Sequence, residues 1–384
     1  MYITDATIVN SNEICEKKYL KIEDGKIVEI GNMSDLKVQP DEELKSMNND
    51  YVLPGFIEEH VHGTNNSDIM DGTNKSLENI SNSLLSEGVT SYLPTTMTDD
   101  QAAIENALIN INEYCSKNQK EYNAEILGVH LEGPFISCEK SGGQNPSFIH
   151  KPSQEMLENF NECSGYRIKM ITYAPEETNT KFTEYLVSKN IVPSAGHSVV
   201  SYKELLPHIQ AGLSNVTHLF NAMSPITHRN PGLAFAGLVD DRLNVEMIVD
   251  GHHLDKEVVD LAFKNKKAEG ISLITDSMRA KNCPDGKYIH GGMQVEKHDG
   301  TVRLPDGTLS GSVLHISESI KNMMQFTGCN IKDIVKMTSE NQAKKLDCYD
   351  RKGSIEVSKD ADLVVLNKNY ELIYTFKFGK KVYS

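Results

Sequence analysis

Two histidines one residue apart, His60 and His62, close the run Leu53-Pro54-Gly55-Phe56-Ile57-Glu58-Glu59-His60-Val61-His62. In a strand, residues i and i+2 share a face, so both imidazoles can reach one metal ion. The same spacing recurs in His130-Leu131-Glu132. Three further short apolar runs end on Ala195-Gly196-His197-Ser198, on Thr217-His218-Leu219-Phe220-Asn221-Ala222-Met223 and on Thr275-Asp276-Ser277. Imidazole nitrogens and carboxylate oxygens suit zinc, iron or a similar divalent ion. Singly, each signal has an ordinary reading. An H-x-H pair can be structural, a histidine after a strand commonly hydrogen-bonds its own loop, and Asp276 could cap the following helix. Five such signals at five strand ends in one chain predict a metal site.

Something must bring those five ends together. Eight candidate strands end near His62, Thr96, Glu132, Pro175, His197, His218, His253 and Asp276, with helical patterns such as 76–87, 104–115 and 256–268 between them. Eight strand-then-helix units predict an α/β fold, a TIM-like (β/α)8 barrel over residues 54–349, whose functional groups gather at the C-terminal rim. Residues 282–310 break the pattern. They are Gly-rich and alternating, and read as a β insertion after the eighth strand. Both ends of the chain are β-rich. Asp24-Gly25 between alternating runs signals a hairpin. The tail runs through Ala361-Asp362-Leu363-Val364-Val365-Leu366 in the same style. Residues 1–53 and 350–384 are therefore expected to form one small β-sandwich.

The 384 residues carry a net charge of −15. A chain this acidic is expected to bind neither nucleic acid nor an anionic membrane surface, and an anionic substrate would need a local basic group. Seven scattered cysteines without a C-x-x-C argue against a disulfide framework or a zinc–cysteine site and fit a reducing cytosol. No charged-then-apolar leader is read at the N-terminus, and no apolar run approaches the ~18 residues of a membrane span. The chain has no G-x-x-x-x-G-K-[ST], G-x-G-x-x-G or G-x-S-x-G, which turns the reading away from nucleotide cofactors and from a serine hydrolase. The acidic stretch Asp41-Glu42-Glu43 reads as a solvated face, and His150, His208, His290, His298 and His315 as surface or packing residues.

His60-Val61-His62 behind Leu53-Pro54-Gly55-Phe56-Ile57 resembles the opening motif of the amidohydrolase superfamily. Lys352-Gly353-Ser354-Ile355 through Asp362-Leu363-Val364-Val365 resembles its closing signature. Within the superfamily, Leu131-Glu132-Gly133-Pro134-Phe135, Gly196-His197-Ser198, the stretch from His218 to Met223 and Asp250-Gly251-His252-His253 are similar to the N-acetylglucosamine-6-phosphate deacetylases. The resemblance covers nearly the whole chain. It implies that Glu132, His197 and His218 hold a principal divalent ion, zinc or iron. His60 and His62, with Glu132 bridging, could hold a second, giving one or two ions per subunit. It implies Asp276 as general base and then acid. Gln144 (where some relatives have His), Asn221, Ala222 through its backbone, Arg229 and His253 should contact a small sugar phosphate. It also implies a homodimer in which Arg229 serves the neighbouring subunit. His130 could support Glu132 or simply pack. Two relatives in chemistry stay open: a deacetylase for the galactosamine isomer and a D-amino-acid deacylase.

Overall fold

A computed structural model describes residues 1–40 and 42–384; Asp41 of the acidic stretch lies outside the described residues. Short apolar, β-branched runs form eight parallel strands: β1 (Phe56–Val61), β2 (Val89–Thr96), β3 (Val129–Glu132), β4 (Ile168–Tyr173), β5 (Val192–Ala195), β6 (Asn215–Val216), β7 (Asn244–Ile248) and β8 (Ile271–Ile274). They pair in sequence order from β1 to β8. Every residue of β1, β2, β3 and β8 is buried, as parallel strands covered by helices must be. The ring meets at its rim. The Asp276 N–H donates to the His60 carbonyl at 2.9 Å, and the His62 N–H donates to the Ser277 carbonyl at 2.9 Å. The seam that joins β8 to β1 thus carries three of the residues singled out for chemistry.

Helices cover the outside, among them α1 (Asn74–Leu85) and the helix Ile316–Thr327. In α1, Leu77, Ile80 and Leu84 bury one face at helical spacing, and the Thr73 side chain caps the first turn by accepting the Ser76 N–H. This is the (β/α)8 barrel that the alternating pattern predicts. Two strand ends differ from that pattern. β4 stops at Tyr173, because Pro175 opens a short turn and has no N–H to give a ladder. β7 stops at Ile248. His253 sits beyond it in a loop gathered by Asp250, whose Oδ1 accepts the N–H of both His252 and His253 at 2.8 Å.

Strands Tyr2–Val9, Ile14–Glu23, Lys26–Asn32, Leu44–Ser46 and Tyr51–Pro54 join Leu363–Leu366, Leu372–Lys377 and Lys380–Tyr383 in one eight-stranded sheet. A bridge between Lys26 and Asp360 brings the two halves together. They enclose their own core, with Ile3, Leu20 and Ile27 facing Leu363, Val365 and Phe376. Asp24 and Gly25 turn the hairpin with φ of 47° and 74°, a region open to Gly and tolerated by Asp. Residues after β8 form a three-stranded antiparallel sheet, Gly286–His290, Met293–His298 and Thr301–Arg303. All seven cysteines are free thiols. No helix is long and apolar enough to cross a membrane among the described residues.

The terminal sheet is fastened to the barrel by buried charge. Asp362 accepts from Lys352 Nζ at 2.6 Å, from Lys377 Nζ at 2.7 Å and from the Phe378 N–H at 2.9 Å. Glu125, just ahead of β3, lies 2.9 Å from Lys352 and 3.2 Å from Lys377. Removing one partner of such a set strands the others in a low-dielectric setting. Asp362→Ala is expected to lower unfolding stability by about 3–5 kcal/mol, measured by urea denaturation. A loss under about 1 kcal/mol, the scale of a surface pair, would mean that water already solvates these lysines.

Candidate active site

Gly196 follows β5 between Thr172 and Thr217, where a Cβ would sit 2.8 Å from both side chains. Only glycine lets the chain pass so close, and the next residue, His197, swings over the barrel mouth. His197, His218 and Asp276 all have positive φ, at 47°, 32° and 49°. Non-glycine residues held there carry strain that surrounding structure must sustain, and such residues cluster at functional sites. Each bend turns a side chain from the end of its strand toward the axis.

The side chains meet at Glu132. Its Oε1 lies 3.2 Å from His197 Nε2, 3.1 Å from His218 Nε2 and 3.5 Å from His60 Nε2. Its Oε2 lies 3.2 Å from His62 Nε2. Asp276 Oδ1 stands 3.2 Å from His62 Nε2 and 3.5 Å from His60 Nε2. The donor atoms of Glu132, His197 and His218 fall within 4.8 Å of one another, and so do those of His60, His62 and Glu132. Glu132 belongs to both groups.

Partners behind the rings decide what these nitrogens can be. His62 Nδ1 faces the Thr95 carbonyl at 3.0 Å, and His197 Nδ1 faces the Lys140 carbonyl at 2.8 Å. A carbonyl only accepts, so both rings carry a proton on Nδ1 and, when neutral, turn a bare Nε2 lone pair inward. His60 is set the same way by Glu246 Oε2, 3.0 Å from its Nδ1. Its Nε2 is buried without a hydrogen bond among the described residues. Lone pairs on imidazole thus point at carboxylate oxygens little more than 3 Å away. Only a cation between them, a proton or a metal, makes that arrangement favourable. The residues fit a divalent ion in donor type, number and orientation.

The electrostatics agree. Burial opposes a charge on Glu132, yet His60, with His197 and His218, holds its carboxyl well below the usual carboxylate range. Burial also opposes the charge on Asp276, and His60 and His62 overcome it, bringing that group down to about 2. Burial and the neighbouring His60 lower His130 to about 4, so it stays neutral.

A cavity of 430 Å³ opens above this cluster, lined also by Gln144, Asn221, Ala222 and His253. Gln144 is held at both ends. Its Nε2 donates to Glu132 Oε2 at 2.7 Å, and its Oε1 accepts the Thr98 N–H at 2.7 Å. His253 donates from Nδ1 to Asp250 at 2.6 Å, which leaves Nε2 for the cavity, while its neighbour His252 is exposed. Arg229 does not line the cavity; it stands exposed on the 225–230 loop.

Of the two roles left open for His130, the packing one is what the structure shows, and His290 packs at the cavity wall. His130 makes no hydrogen bond to Glu132. It bonds the Glu59 carbonyl at 3.0 Å and Thr172 Oγ1 at 2.7 Å, and its ring packs against His60. His290, expected to be a surface or packing residue, is buried at the cavity wall with its ring 5.3 Å from that of His62. Glu246, Lys140 and Arg303 were not singled out at all. Glu246 left a readable signal, because a carboxylate inside the apolar strand Asn244–Ile248 needs a buried partner.

The family model for the amidohydrolase family matches residues 51–382. The chain belongs to the amidohydrolase family. As such it is a metal-dependent hydrolase. Among this family's curated members, it is 39% identical to the N-acetylglucosamine-6-phosphate deacetylase of Bacillus subtilis (strain 168), over 99% of this chain and 96% of that one. It is 32% identical to the N-acetylgalactosamine-6-phosphate deacetylase of Escherichia coli O157:H7, over 91% and 90%. The solved N-acetylglucosamine-6-phosphate deacetylase of Thermotoga maritima superimposes with a TM-score of 0.89 at 35% identity, covering 100% of this chain and 99% of that one.

If His60 binds the metal, the carboxylate behind it, Glu246, would orient that ligand. Groups in that position commonly contribute about 10–100-fold in metal affinity. Glu246→Gln keeps the shape and removes the charge. It is expected to weaken binding of the metal by that factor in competition with a chromogenic chelator. Unchanged affinity would mean that His60 is either oriented by other contacts or is not a ligand.

Proposed function

We propose that this protein hydrolyses the N-acetyl group of N-acetylglucosamine 6-phosphate, giving glucosamine 6-phosphate and acetate in amino-sugar breakdown in the cytosol. The observation that carries the reading is one cavity holding a Glu132–His197–His218 donor set with Asp276 against it, in a chain that matches deacetylases of that name over nearly its full length. Glu132, His197 and His218 would hold the principal ion, zinc or iron, and His60 and His62 with Glu132 provide for a second.

Held by Glu132, His197 and His218, a divalent ion would lower the pKa of water toward about 7 and polarise an amide carbonyl. The chain's own residues do the rest. Asp276 takes a proton from the attacking water as the new C–O bond forms. It then gives that proton to the amine nitrogen as the C–N bond breaks. As a carboxylate it is ionised at neutral pH, the form that a proton acceptor needs. Asn221, the Ala222 backbone, Gln144 and His253 position the sugar from the cavity wall. Arg229, exposed on its loop, would reach the phosphate of a second subunit in a homodimer. The E. coli relative named for the galactosamine isomer makes that sugar the second substrate to test.

Acetate release from both sugar phosphates tests the reading. Asp276→Asn is expected to lose on the order of 10² to 10⁴ in kcat with KM little changed, the scale of a positioned acid–base group. Near-normal turnover would move the proton transfer elsewhere. Arg229→Ala subunits mixed with Asp276→Asn subunits should regain activity, since each mixed dimer then has one intact site. A mixture that stays inactive although subunits exchange would remove the shared arginine.

A further inference from the structure

The insertion after β8 places a second cationic group at the active-site cavity, and it comes from the same chain. Arg303 ends the strand Thr301–Arg303 and lines the cavity together with Lys140, Asn221, His253 and Asp276. Arg303 and Lys140 make no ion pair among the described residues, in a chain whose net charge is −15, although Glu139 lines the same cavity. Two unneutralised cations beside a metal cluster in so acidic a protein call for an anion.

Arg303 is exposed, and its guanidinium has one protein partner. Arg303 Nη1 donates to the Gly307 carbonyl at 2.8 Å. The turn that supplies this carbonyl is closed by Leu304 N–H to Thr308 O at 2.8 Å and Gly307 N–H to Leu304 O at 2.9 Å. From there the chain runs straight back to the general base. Arg303 pairs with Leu309 as an antiparallel bridge, the Ser310 N–H donates to Val302 O at 3.1 Å, and the Ser312 N–H donates to the Asp276 carbonyl at 2.8 Å. The backbone that carries Arg303 is therefore linked to that of Asp276 through Ser310 and Ser312, which sets the strand at the cavity's rim. With Nη1 anchored, Nη2 and Nε remain as a planar pair of donors suited to phosphate oxygens.

We propose that Arg303 is a specificity-determining residue that grips the substrate's phosphate from within its own subunit. The proposal rests on the sugar-phosphate reading above. Arg303 would act beside any arginine reaching in from a second subunit, and its contact exists without assembly. The 430 Å³ cavity has room for a sugar phosphate spanning the metal cluster and this arginine.

The test compares N-acetylglucosamine 6-phosphate with unphosphorylated N-acetylglucosamine in wild type, Arg303→Ala and Arg303→Lys. A charge-assisted contact of this kind carries a factor of about 10–100. Arg303→Ala is expected to lower the ratio of kcat/KM for the phosphorylated over the plain sugar by that factor, chiefly through KM. Arg303→Lys should recover part of it, since a point charge replaces the fork. Inorganic phosphate should inhibit the wild type competitively, and Arg303→Ala more weakly by a similar factor. An unchanged ratio, or an equal fall on both sugars, overturns the proposal while leaving the deacetylase reading intact. A wild type with no preference for the phosphorylated sugar overturns the sugar-phosphate reading itself, and the role of Arg303 with it.

Discussion

One carboxylate holds this site together. Glu132 offers one oxygen to His197 and His218 and the other to His62, inside a cavity wall from which water is largely excluded. Stripped of a cation, the arrangement sets lone pairs against lone pairs; with one, every contact becomes attractive. Much of the surrounding structure exists to keep the nitrogens aimed. The Thr95 and Lys140 carbonyls and Glu246 each hold the outer nitrogen of a ring, so that the inner one faces Glu132. Behind Glu246 the support continues through Asn215 to Lys345, which reaches up from beneath the barrel and also pairs with Glu59.

Barrel closure serves the same end. β1 and β8 meet through backbone bonds made by His60, His62, Asp276 and Ser277, so the join of the ring and the centre of the chemistry are one place. The terminal sheet runs into β1 through the strand Tyr51–Pro54, and the insertion runs out of β8, so the elements added to the barrel attach at that seam's two strands. The first is locked by the buried lysine–carboxylate set around Asp362, the second by Lys281, which is fully buried against Glu87 at 2.6 Å.

Residues whose spacing follows the period of their element were legible in the chain. The i, i+2 pairs His60/His62 and His130/Glu132 and the polar ends of apolar strands led to the barrel rim, and the Asp24-Gly25 turn led to the terminal sheet. What could not be read depends on which atoms meet across the ring. His130 and His62 look alike in sequence, one on each side of an H-x-H or H-x-E pair. Yet His130 points into the barrel wall toward Thr172, while His62 points at Glu132 and Asp276. His290 and Arg303 lie in the β insertion, outside the repeating strand–helix pattern, and no period within 282–310 says which side faces the cavity. Glu246 was readable as an anomaly, though its partner, His60, is 186 residues away.

If a cation at Glu132 is what makes hydrolysis possible, activity must follow the bound metal. The direct measurement is acetate release from N-acetylglucosamine 6-phosphate as bound metal is removed by a chelator and then titrated back with zinc or iron. Activity should vanish with the metal and return in proportion to the ion bound, with Glu132→Ala neither holding the ion nor recovering. Full turnover by protein shown to be metal-free would contradict it.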